Sequence, residues 1–186
     1  NAVELYHAEL ATAAPAMRLW VMIETCRAIA ELQPTADMAT RTRLAAMVVG
    51  TNDLALELRA RPAADRAGLI PYLALAVAAA RAARIAVLDG VCNDFVDLDR
   101  FAAECAQGRT LGFDGKSLIH PAQIEACNRA FSPEPEEIAH AEAIVAAFAD
   151  PANAGKGAIR VSGRMVERLH LEQARRLLAF HESIAR

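Results

Sequence analysis

The chain has 186 residues, 54% of them hydrophobic, and a formal net charge of −3. That is enough to bury a full core as a soluble globular protein. Neither the charge nor any basic stripe points to nucleic acid. The longest apolar stretch, Leu69 to Ala80, is too short to span a bilayer, so no membrane partner is expected.

Residues 3–13 read as a helix. The opening Asn1-Ala2-Val3-Glu4 lacks the basic and apolar regions of a signal peptide. The run Leu19-Trp20-Val21-Met22-Ile23 then predicts a strand over 18–24, and Cys26 to Leu32 a helix continuing past Pro34. A second strand is expected over 45–49, a helical segment over 53–59, and a loop at Arg61-Pro62. The Ala-rich stretch 69–83 is a long helix, and 84–88 a strand closed by Asp89-Gly90. Residues 98–107 form a helix, 115–119 a strand stopped by His120-Pro121, and Pro121 opens a helix to Phe131. Beyond it, Ser132-Pro133-Glu134-Pro135-Glu136-Glu137 enters a helix that runs to Ala149. A Gly-rich link, a strand-like 158–161, the turn Ser162-Gly163 and a last amphipathic helix to Ala185 complete the chain.

Strand and helix alternate four times after an opening helix, which implies a parallel sheet. Four units fall short of a closed eight-stranded barrel, which takes about 250 residues. The chain opens inside a helical pattern without an initiator methionine. That suggests a longer polypeptide; an open four-stranded sheet is the competing reading. Cys26, Cys92, Cys105 and Cys127 show no C-x-x-C pairing and fit buried thiols in a reducing cytoplasm.

Two acids stand where short apolar runs end: Glu24 after the first strand and Asp53 just beyond the second, 29 positions apart. Carboxylates from neighbouring strand tips, with waters and substrate oxygens, suit Mg2+. They equally suit caps of the following helices. His120, Asp89, Asn93 and Asp94 read as turn and helix-entry residues, the last three alternatively as channel lining. Lys116 reads as a structural residue at the opposite rim, and His7, His140, His170 and His181 have no assigned role.

The segments Val21-Met22-Ile23-Glu24-Thr25, Gly50-Thr51-Asn52-Asp53-Leu54-Ala55, Leu88-Asp89-Gly90-Val91 and Leu111 to Ile124 occur in order. With Gly163-Arg164-Met165-Val166 they resemble the citrate lyase β-subunit-like family of CoA-ester lyases, which includes malyl-CoA and citramalyl-CoA lyases and related thioesterases. The resemblance implies a magnesium-dependent parallel (β/α)8 TIM barrel, usually a homotrimer or homohexamer. This chain would supply the last four βα units, residues 1–131. A C-terminal helical extension, residues 132–186, would pack on a neighbouring subunit. Glu24 and Asp53 match the family's two metal carboxylates, while the strands in front would carry a substrate arginine, further acids and part of the CoA pocket.

The implied reaction makes or cleaves a C–C bond between an acyl-CoA and a small α-keto acid, with Asn52, Asp53, Gly90 and Val91 as substrate contacts. Glu167 stands where the family normally has an Asp that reaches a neighbouring subunit's site as general acid/base. It is one methylene longer, and it reads either as that group or as a surface acid early in the last helix. A malyl-CoA-type thioesterase would look the same at this level. A non-catalytic binding or assembly module is the rival from another class.

Overall fold

The computed structural model describes residues 2–13, 16–61 and 63–184. Asn1, Pro62 and Ala185, placed above at the chain start, in a loop and at a helix end, lie outside the described residues. The chain divides into two compact units, Asn1–Phe131 and Ser132–Arg186.

The first unit is a parallel four-stranded sheet laid down in chain order: β1 (Leu19–Ile23), β2 (Leu44–Val49), β3 (Ala86–Asp89) and β4 (Gly115–Lys116). Its helices are α1 (Ala2–Ala13), α2 (Cys26–Ala30), α3 (Leu32–Asp37), α4 (Thr51–Glu57), α5 (Ile70–Ala83), α6 (Leu98–Leu111) and α7 (Ile124–Phe131). β2 reads as an unbroken apolar run because both of its faces are covered; Ala46, Met47, Val48 and Val49 are all buried. Ile23, Leu54, Leu73, Val87 and Phe113 share one core with Met47 and Val49. Each fully buried aliphatic side chain contributes about 1.5–3 kcal/mol of transfer free energy. On α5 the small Ala76, Ala79 and Ala80 face inward beside Leu73 and Val77. The helix ends at Arg84, in the left-handed region at φ 59°.

β4 is shorter than the pattern over 115–119 implied. After Lys116, the Ser117 N–H donates to the Asp89 carbonyl at 2.9 Å. The chain then leaves the sheet, because Ile119 and His120 N–H both donate to the Oε1 of buried Gln123. The register pairs Lys116 with Asp89, the last residue of β3. Lys116 therefore lies level with the carboxyl end of β3, which corrects its assignment to the opposite rim. The helix expected past Pro34 is broken at Glu31 into α2 and α3.

The second unit holds α8 (Pro135–Ala149), β5 (Ala158–Val161), β6 (Arg164–Glu167) and α9 (Arg168–Ile184). α8 opens with a capping box in which the Glu134 N–H donates to Glu137 Oε2 at 2.8 Å. β5 and β6 form an antiparallel hairpin whose two turn residues, Ser162 and Gly163, sit at φ 48° and 82°. Positive φ at both positions matches the right-handed twist of the flanking strands. Sequence reading had missed β6. Val161 and Val166 point into a small core with Ile144, Ile159 and Leu171. No helix among the described residues is long and apolar enough to cross a membrane.

Candidate active site

The candidate residues lie at and just beyond the carboxyl ends of β1 to β3. Ile23 pairs with Val49, and the Gly50 N–H donates to the Ile23 carbonyl at 2.9 Å, so Glu24 and Gly50 leave the sheet side by side. Glu24 lies directly on Gly50: a Cβ there would sit 2.6 Å from Glu24 Cβ and 2.9 Å from its Oε2. Only glycine admits this approach. Asp53 follows in the first turn of α4, where the helix dipole favours an anion.

The capping alternative for Glu24 fails. The cap of α2 is Thr25, whose hydroxyl accepts from the Ala28 N–H at 3.0 Å, and the Cys26 N–H is taken by Glu57 Oε2 at 2.8 Å. Among the described residues, neither the Glu24 nor the Asp53 carboxylate has a hydrogen-bonding or ion-pairing partner. No group of three or more His, Cys, Asp or Glu able to hold a metal occurs among the described residues either. A two-carboxylate set fits Mg2+, which keeps several waters, better than Zn2+, which asks for four tight ligands.

The loop after β3 closes against α4. Gly90 has no room for a side chain, since a Cβ would collide with Thr51 and lie 2.6 Å from the Val49 carbonyl oxygen. Asn52 and Asn93 exchange two amide hydrogen bonds of 3.1 and 2.7 Å, so the Asn52 side chain is engaged with protein. Gly90→Ala is expected to destabilise the fold by about 1–3 kcal/mol through overpacking. A urea titration checks this through the shift in midpoint.

Beside this contact opens a cleft of about 980 Å³, lined by Thr51, Asn52, Leu56, Leu69, Val91 and Phe95, with Arg59, Arg66 and Arg100 among its polar groups. Gly90 is buried behind it and Val91 borders it. Phe95 also stacks on the His120 ring at 4.8 Å. His120 Nδ1 accepts from the Ala122 N–H at 3.1 Å, the helix-entry role expected of it. Backbone hydrogen bonds from Val96 and Asp97 to the Asp94 carboxylate hold its pKa below the ordinary range and shape the turn.

Under the cleft lies a cluster that sequence reasoning missed. Asp89 receives Arg66 Nη1 at 2.9 and 2.8 Å on its two oxygens and Lys116 Nζ at 2.9 Å. Lys116 Nζ also donates to Glu104 Oε1 at 2.6 Å, and Arg66 Nη1 lies 3.4 Å from that same oxygen. All four side chains are buried, those of Asp89 and Lys116 completely. Two cations and two carboxylates balance, as buried charge requires. The available signal was two charges, Asp89 and Lys116, inside otherwise apolar strands.

Cys92, Cys105 and Cys127 are buried, and Cys26 is half-buried. Burial pushes the Cys92 thiol up. A hydrogen bond between the Cys105 and Cys127 thiols lowers Cys127 to about 7 and raises Cys105. Glu167 stands apart from these groups in sequence and unit. It ends β6 rather than opening the last helix, its side chain is exposed, and its N–H donates to His170 Nδ1 at 2.9 Å.

Residues 2–121 match the family model described as HpcH/HpaI aldolase/citrate lyase. The chain belongs to that family. A (3S)-malyl-CoA thioesterase of Cereibacter sphaeroides is 46% identical over 176 residues, covering 95% of this chain and 61% of the relative. A citrate lyase subunit β of Leuconostoc mesenteroides is 33% identical over 136 residues, covering 73% and 45%. The solved structure of CitE from Mycobacterium tuberculosis, in complex with magnesium, acetoacetate and coenzyme A, superposes with a TM-score of 0.72 at 26% identity. That match covers 95% of this chain and 65% of the CitE chain. The chain thus spans about 61% of the length of its 46%-identical relative. Its parallel α/β sheet is the fold shared with the citrate lyase relatives.

Proposed function

We propose that the chain supplies four βα units of a (β/α)8 barrel whose site acts on CoA esters of small hydroxy acids with Mg2+ bound by Glu24 and Asp53. The observation that carries this reading is a pair of carboxylates, one following β1 and one in the first turn of the helix after the neighbouring β2, neither with a side-chain partner among the described residues. An exposed apolar edge on β1, with Trp20 62% and Met22 57% accessible, suits the addition of further barrel strands. The ion would supply Lewis-acid polarisation and orientation of the substrate oxygens. Glu24 and Asp53 hold it, and Asn52 with the backbone at Gly90 and Val91 borders the α-keto acid end of the substrate.

In the lyase direction, loss of the hydroxyl proton breaks the C–C bond and yields an acyl-CoA enolate and an α-keto acid. Glu167 of a neighbouring copy, in a trimer or hexamer, would take up that hydroxyl proton and return it to the enolate carbon, giving the neutral acyl-CoA. The 46% identity to a thioesterase favours a second reading, hydrolysis of a malyl-CoA-type thioester to the hydroxy acid and free CoA. Incubating the full-length protein and Mg2+ with malyl-CoA and citramalyl-CoA decides between them. Chromatography is expected to show acyl-CoA plus keto acid for a lyase, and free CoA plus hydroxy acid for a thioesterase. Turnover of neither ester removes both readings.

A further inference from the structure

We infer that Arg66 is a positioning residue that clamps the described loop residues 58–61 and 63–69 in place as one wall of the cleft, and so governs how tightly the CoA ester is held; the second half of this rests on the proposed function. That loop contributes Arg59, Ala60, Arg61, Ala63, Gly68 and Leu69 to the cleft lining. Leu58 and Leu69 tie the two ends of the loop to the apolar core, but the residues between them have almost nothing apolar to stand on. Among the described residues from Arg59 to Gly68, Arg66 alone is buried.

Between those ends the loop's anchor is a guanidinium. Beyond its paired contacts to Asp89, Arg66 Nε donates to Gln107 Oε1 at 2.8 Å, while Gln107 Nε2 donates to the Asp65 carbonyl at 2.7 Å. Arg66 also adopts the left-handed region, at φ 55°. A residue without a β-carbon would take that conformation more easily, so the side chain's reach outweighs the backbone strain. The far end of the clamp bears on the substrate side. Asp89 Oδ1 accepts from the Gly90 N–H at 2.8 Å, and Gly90 is the residue pressed against Thr51. One side chain thus fixes both the outer wall of the cleft and the loop opposite it. The fork geometry is specific to arginine, since lysine offers a single point of charge.

The test uses the full-length protein with Arg66→Lys, which keeps the buried charge balance, and Gln107→Leu, which removes two of the clamp's hydrogen bonds without burying a lone charge. Amide hydrogen exchange over 63–69 is expected to accelerate at least tenfold in both variants. KM for the ester that the wild type turns over is expected to rise about tenfold, with kcat changing much less. Unchanged exchange overturns the clamp. Accelerated exchange with KM unmoved, or with kcat falling instead, overturns its role in holding substrate. A wild-type protein that turns over no CoA ester removes the reading of the site, while the exchange result still decides the clamp.

Discussion

Glu24→Gln in the full-length protein is expected to lower kcat/KM by roughly a hundredfold to a thousandfold, the scale on which losing one preorganised electrostatic group acts. The exchange is nearly isosteric and removes one negative charge from a two-carboxylate set. Asp53→Asn should behave alike, and the double variant should be little worse than either single one, because groups that act as a unit are not additive. Glu24 is half-buried and Asp53 exposed, and neither carboxylate hydrogen-bonds or ion-pairs with another described residue. The melting temperature without Mg2+ should therefore stay close to wild type. Calorimetric titration with Mg2+ provides a readout that does not depend on turnover: binding should weaken sharply in each variant. Undiminished turnover in both variants, or metal binding unaltered, would remove the ion from these two residues.

Lys116→Met is expected to cost about 3–5 kcal/mol, the largest stability effect predicted for the chain. It leaves Asp89 and Glu104 buried with Arg66 as their only cation within the cluster. In urea the midpoint should fall with the slope unchanged, and the melting temperature should drop by roughly 10–20 °C. Adding Glu104→Gln to Lys116→Met restores charge balance and should recover part of the loss. That recovery separates an electrostatic origin from a simple cavity. A single Lys116→Met variant as stable as the wild type would contradict the buried pairing.

Much of the α/β order was legible because buried parallel strands leave short β-rich runs and their helices leave longer Ala-rich ones. Glu24 and Asp53 stood out because each follows a short apolar run, a position that suits a helix cap or a metal ligand alike, and spacing alone did not choose between the two. The charged cluster was not legible. Arg66, Asp89, Glu104 and Lys116 pair across 12 to 38 positions, through contacts that only the folded sheet creates. Lys116 was misplaced for a related reason: the run from Gly115 to Ile119 looks like one strand, yet Gln123 draws its second half away to cap a turn. β6 had a local signal. Ser162-Gly163 is a two-residue turn, and a matching strand should have been sought on its far side. The role of Glu167 has no such signal, because an exposed acid at a strand end looks the same whether or not a second subunit meets it.

The order in which the strands adjoin bears on how the first unit is assembled. Each strand lies beside the one that precedes it in the chain, so every addition closes a loop of modest length and pays little entropy before contacts repay it. Assembly can grow from one end, with β2 becoming interior as soon as β3 arrives. The buried charges are an exception to this stepwise growth. Arg66, Asp89 and Glu104 lack their fourth member until β4 delivers Lys116. Without β4, the other three groups would hold an excess negative charge in the interior, so the buried cluster ties the stability of the unit to the docking of its last strand.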